Sequence, residues 1–182
     1  MGTNGSTLAG DLQPRTTADG SLTLWSEAFG ECFHSGAGAR AEAQGKFVRP
    51  AQLERFPSGR SLVVLDLCVG LGYNSAALLE AAADRGLRIQ WLGLELDPRP
   101  LQIALADGGF RRLWRPATLA VLSQLSQAGA WADPALGEGR WWLGSRKGSA
   151  ARVSRWSRSM AERGSSGGGS PPAGAAAISG EG

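Results

Sequence analysis

The residues best placed to do chemistry stand in one short run, Asp66, Gly70, Gly72, Tyr73 and Asn74, with a second acid, Glu95, 23 positions after Gly72. Two glycines separated by one residue let backbone N–H groups approach a ligand that any Cβ would hold off. An acid roughly 20 residues beyond such a turn is placed to accept hydrogen bonds from a ribose. The acid ahead of the turn suits an ammonium group. Gly-x-Gly alone is shared by nicotinamide, flavin and S-adenosylmethionine sites. Two details favour the methyl donor: Tyr73 and Asn74 stand where the dinucleotide fingerprint has its third glycine, and S-adenosylmethionine has no pyrophosphate to seat on a helix N-terminus. A nicotinamide-dependent oxidoreductase stays as a distant alternative.

A second group of polar residues, Glu31, His34 and Glu42, lies earlier in the chain. His34 is the one histidine. Two readings stay open for this region. In one it is an antiparallel ribbon whose Trp25 and Phe33 pack on the domain. In the other it is a lid from which Glu31 and His34 reach cofactor or substrate. The two cysteines, Cys32 and Cys68, are too few for a disulfide framework or a zinc site, and no metal is expected. Cys68, inside the turn, reads as a small packing residue.

The elements that must hold these residues follow from the pattern. Leu62 to Leu65, then Leu67, predict a strand buried on both faces. A helix is expected from about Asn74 through the alanine-rich stretch to Gly86, and a second strand over Ile89–Asp97, ended by Pro98. Two strands joined by one helix form a right-handed unit, so the sheet is expected to be parallel. Further helices are read at Leu101–Leu105 and Pro116–Gln127, and a third strand from Arg140 to Leu143. Upstream, Asp19-Gly20 before Ser21-Leu22-Thr23-Leu24-Trp25 predicts a hairpin, with a further strand within Phe29–His34. Helical segments are expected at Ala39–Gln44, weakened by Gly45, and from Pro50 to Phe56.

At 182 residues the chain has room for one domain. Its net charge of +3 is unevenly placed: residues 1–143 carry 13 Lys/Arg against 14 Asp/Glu, and residues 144–182 carry 6 against 2. Gly, Ser, Ala and Pro make up 27 of those last 39 residues, with no Leu and no Phe. Such a segment buries too little apolar surface to offset its conformational entropy, so disorder is expected there. Arg152, Arg155 and Arg158 are read as a solvated tail or as charge contacts to nucleic acid. No apolar run approaches the roughly 20 residues of a membrane span, and no signal-peptide core opens the chain, so a cytoplasmic protein is expected.

Three separated blocks resemble the MnmC-type tRNA 5-(aminomethyl)uridine methyltransferase family, in family order. They are Thr17–Leu24 with Phe29–Ser35 and Gly38–Ala43, then Asp66–Ser75 with its Gly-Leu-Gly-Tyr-Asn turn, then Leu92–Asp97. The resemblance covers about residues 14–143. It implies an α/β, Rossmann-like S-adenosylmethionine-dependent methyltransferase fold with an N-terminal hairpin extension. The divisions expected are a lead-in at 1–14, the hairpin and helical extension at 15–60, a partial methyltransferase domain at 61–143 and the tail at 144–182. It further implies methyl transfer to the aminomethyl group of a wobble uridine presented by a tRNA anticodon loop. By the same resemblance Asp66, Gly70, Gly72, Tyr73, Asn74 and Glu95 line the cofactor site, and Glu31, His34 and Glu42 are possible cofactor or substrate contacts.

The chain departs from that family in one place. The family sets an acceptor-site Asp in an Asp-Pro-Phe or Asp-Gly-Phe type turn after its fourth strand, and Asp133-Pro134 comes too early to supply it. The resemblance stops near residue 144, as a truncated or frame-shifted gene would leave it. A catalytically dead fragment is therefore the alternative expectation. With three strands and half a core, such a fragment is expected to be poorly stable.

Overall fold

The computed structural model describes residues 12–144 and the backbone of residues 175–179. A three-stranded antiparallel ribbon comes first, from β1 (Leu12–Thr16), β2 (Leu22–Ser26) and β3 (Glu31–Cys32). Its turn forms where Asp-Gly predicted it. Gly20 takes a positive φ of 81°, and the Asp19 carboxylate accepts from Thr17 Oγ1 at 2.7 Å and from the Ser21 amide at 3.0 Å. β1 begins inside the expected lead-in, because Leu12 pairs with Ser26. Helix α1 (Ala39–Glu42) then widens into a π-helical stretch, Ala43–Val48, around Gly45, and a single 3-10 turn follows at Leu53–Arg55.

The main sheet is built from β4 (Ser61–Leu67), β5 (Arg88–Glu95), β6 (Ala130–Asp133), β7 (Gly137–Leu143) and β8 (Ala175–Ser179), in the order β6-β7-β5-β4-β8. β4, β5, β7 and β8 run parallel, and β6 is antiparallel to β7. Between them lie α2 (Tyr73–Ala83), α3 (Arg99–Ala106), α4 (Gly108–Arg112) and α5 (Pro116–Ala128). The expected three-strand sheet thus has five. β6 was not anticipated, and β8 comes from within the stretch expected to be disordered. The rest of that stretch, with Arg152, Arg155 and Arg158, lies outside the described residues.

β4 also differs from its expectation. Leu62, Val64 and Asp66 are buried, whereas Val63, Leu65 and Leu67 on the opposite face are half-buried. The helices account for the first face: Leu71, Leu78, Leu79, Leu101, Leu122 and Leu125 join Leu62, Val64, Ile89 and Trp91 in one core. Two boundaries have local causes. β5 stops at Glu95 rather than Asp97 because the Glu95 carboxylate takes the amides of Leu96 at 2.6 Å and Asp97 at 3.1 Å, turning the chain. β6 ends at Asp133, whose carboxylate accepts from the amides of Ala135 at 2.8 Å and Leu136 at 2.9 Å and shapes the turn into β7.

Candidate functional site

The parallel pairing of β4 with β5 sets Leu67 opposite Leu94, so both strands end at one edge. Beyond Leu67 the Cys68 amide still donates to Leu94 O at 2.8 Å. Cys68 then adopts φ +61°, a conformation strained for a residue with a Cβ, and Gly70 follows at +56° and Gly72 at +87°. The last of these favours glycine by its φ, and an added Cβ there would also press on Leu101 Cδ1 at 2.9 Å. The absent side chain lets α2 start tight against α3. At the centre, the Gly70 amide donates to Glu95 Oε2 at 2.7 Å. Strand order reverses at β4, which has β5 on one side and β8 on the other, and ligands of such sheets bind at the carboxyl ends beside that reversal.

The expected site residues divide. Gly70, Gly72 and Glu95 meet in the turn, and Asn74 is half-buried on the first turn of α2. Asp66 and Tyr73 face inward instead. Asp66 is 1 % exposed and shares the β4 face of Leu62 and Val64, which points it at the helices rather than at the open edge. It accepts a hydrogen bond from Ser75 Oγ, while its Oδ1 has no partner. Burial pushes its carboxyl up to about 6. Ser75 and the nearby Trp91 indole, which completes no hydrogen bond, pull the other way, and Glu95 adds to the rise. Asp66 thus braces the start of α2. Tyr73 packs edge-on against His34, Phe110 and Trp114 at centroid distances of 5.1, 5.0 and 5.9 Å. Burial pushes its phenol up to about 12.

The N-terminal candidates hold the ribbon rather than the turn. Glu31 is exposed and pairs with Ser26 in the ribbon. His34 sets Nδ1 3.3 Å from Thr23 Oγ1. Burial pushes its imidazole below the ordinary value, against the attraction of Glu42. Glu42 accepts from Ser35 N and Oγ, both at 3.1 Å, and pairs with Lys46 at 2.6 Å. Burial pushes the Glu42 carboxyl up, but the Lys46 and Ser35 donors outweigh it and hold it below its usual value. The ribbon residue that does reach the turn is Phe33: an added Cβ on Gly70 would meet its Cδ1 at 3.4 Å. Nothing in local spacing marks that contact. The packing reading of the ribbon had named Phe33, without the place it packs.

No family model matches the sequence. One 63-residue stretch is 44 % identical to an uncharacterized protein, MJ0670, of Methanocaldococcus jannaschii, over 35 % of this chain and 17 % of that one. The crystal structure of MnmC2 from Aquifex aeolicus matches with a TM-score of 0.59 and 27 % identity, over 75 % of this chain and 43 % of that one. The fold resembles that of MnmC2. The chain therefore spans less than half the length of either relative.

What a cofactor with a ribose, such as S-adenosylmethionine, would need is offered at the turn. The turn offers backbone without side chains at Gly70 and Gly72, and the Glu95 carboxylate stands beside it. Three N–H groups already occupy Glu95, and a carboxylate offers about four lone-pair sites, so room for a ligand hydroxyl remains. Among the described residues no helix is long and apolar enough to cross a membrane, and no group of His, Cys, Asp and Glu is disposed to hold a metal.

Proposed function

We propose that this chain holds S-adenosylmethionine at the Gly70–Glu95 turn and acts in methylation of the aminomethyl group of a wobble uridine in tRNA. The observation that carries the cofactor half is the hydrogen bond from the Gly70 amide to Glu95 Oε2 at the carboxyl edge of the sheet. The acceptor half draws on the MnmC2-like fold and on the sequence resemblance to the MnmC-type family. In this reading Glu95 and Asn74 would hold the cofactor, with the turn held in shape by Asp66 through Ser75. The bound cofactor would supply an activated methyl group on sulfonium sulfur. An alkylamine acceptor resembles Lys, whose pKa is about 10.4, so freeing its lone pair at neutral pH costs roughly 4–5 kcal/mol. A single-stranded anticodon loop can splay such a base into a pocket.

One observation favours a second reading, cofactor binding without methyl transfer. Asp133 pairs with Gly137 at the amino end of β7, whereas Glu95 pairs with Leu143 at its carboxyl end. Asp133 therefore stands at the wrong edge to serve an acceptor at the turn. Calorimetric titration with S-adenosylhomocysteine, followed by methyl transfer to hypomodified tRNA, separates the two. Binding with transfer supports the enzyme, binding alone supports the second reading, and neither overturns both.

A further inference from the structure

Phe33 lies against Gly70, and Leu96 and Leu143 lie at the ends of β5 and β7 beside Glu95; none of the three has a role in the reading above. With Phe29 they are the exposed large apolar side chains of the described residues, at 36 %, 55 % and 46 %. Phe33 stands over Gly70, in contact distance of any Cβ placed there. Leu96 follows Glu95, and a Cβ on Gly144 would touch its Cδ2 at 2.9 Å. Leu143 lies opposite Glu95 in the β5–β7 register. Single exposed apolar residues need no explanation. Here one of them, Phe33, lies against the glycine whose amide is bonded to Glu95, while Leu96 follows Glu95 in sequence and Leu143 pairs with it in register.

That combination matches one chemical class. A nucleoside presents hydroxyls on its ribose and, one bond away, a flat heteroaromatic base. The strand-end acid suits the first and an aromatic ring suits the second. We propose that Phe33 is the platform on which a nucleobase stacks at the Gly70–Glu95 turn. The backbone that carries the ring is held in advance of any ligand: the Phe33 amide donates to Leu24 O at 2.9 Å, His34 is packed on Tyr73, and Ser35 is bonded to Glu42. A backbone so held leaves only the side-chain torsions of Phe33 to be ordered when a base settles on the ring. The base has two possible sources, the adenine of the cofactor and a base of the RNA substrate. Only the first rests on the methyl-donor reading.

The full chain and its Phe33→Ala and Phe33→Tyr variants are titrated by calorimetry with S-adenosylhomocysteine and, separately, with an RNA anticodon stem-loop. Phe33 is 36 % exposed, so Phe33→Ala is expected to lower the melting temperature modestly while Phe33→Tyr keeps that of the parent, and affinities are compared at a temperature where all three are folded. Phe33→Ala is expected to weaken one of the two ligands about tenfold or more, with Phe33→Tyr keeping the parent affinity. Loss confined to S-adenosylhomocysteine assigns the platform to the cofactor's adenine. Loss confined to the stem-loop assigns it to a substrate base. Parent-like or tighter binding of both ligands by Phe33→Ala overturns the proposal and makes the ring a plug over an empty turn. If the parent binds no S-adenosylhomocysteine, the methyl-donor reading fails, and the platform stands or falls on the stem-loop alone. Binding of neither ligand by the parent overturns the platform as well.

Discussion

Glu95 and Gly70 are joined by a 2.7 Å hydrogen bond across 25 residues of sequence. One carboxylate thereby fixes three things: the amide of the glycine turn, and the amides of Leu96 and Asp97 that end β5. The turn after β4 and the end of β5 behave as one piece.

Glu95→Ala removes the acceptor from all three amides. Hydrogen bonds to charged groups contribute about 1.5–3 kcal/mol each when buried, and partial exposure reduces this, so a stability loss of about 1–3 kcal/mol is expected. Glu95→Gln keeps one acceptor oxygen and is expected to lose less. Denaturant unfolding of the two variants beside the parent checks the order. Equal stabilities would show that the hydrogen bonds at Glu95 do not shape the turn.

Asp66 gives an unusual pH dependence. Its carboxyl is raised from 3.8 to about 6 by burial, so the folded chain keeps a proton that the unfolded chain releases. The stabilisation is complete below about pH 3.8 and is lost as pH rises through about 6. A shift of about two units corresponds to roughly 3 kcal/mol. Asp66→Asn retains an acceptor for Ser75 and carries no charge, so it is expected to abolish that loss. Chemical unfolding from about pH 4 to about pH 7 measures it. A parent and variant with the same pH slope would contradict the buried, ionisation-averse state of Asp66.

His34 runs the other way. Burial lowers its pKa from 6.5, so protonation is resisted in the folded state. The stability it permits is present above about 6.5 and falls as pH drops below that value. In Asp66→Asn, where the opposing slope is gone, a decline on acidification is expected. Adding His34→Gln to that background is expected to flatten it above about pH 5, below which the lowered carboxyls of Asp19, Glu42 and Asp97 give a decline of their own. A decline between about pH 7 and about pH 5 that survives the double substitution would place its source elsewhere.

Much of this arrangement was legible in the chain itself. The apolar run at Leu62–Leu67, the two glycines and the alanine-rich stretch defined β4, the turn and α2, because each signal is local and all agree. β6 escaped because Ala130–Asp133 is too short for alternation to register between Gly129 and Pro134. Gly45 was read as weakening a helix, and the structure shows the form this takes, a widened π-helical stretch. The position of Asp66 before the glycines points to the cofactor, while its parity with Leu62 and Val64 sets it on the face the helices cover, and only the placement of those helices gives parity a meaning. Phe33 reaches Gly70 through the packing of the ribbon on α2, and no pattern within either segment encodes a contact between them.

The account rests on a methyl-donor site at Gly70–Glu95, and calorimetric titration of the full chain with S-adenosylhomocysteine tests it most directly. One saturable site is expected, with a melting temperature raised by the ligand and both effects lost in Glu95→Ala. A parent chain that gives no binding heat and no change in melting temperature would contradict it.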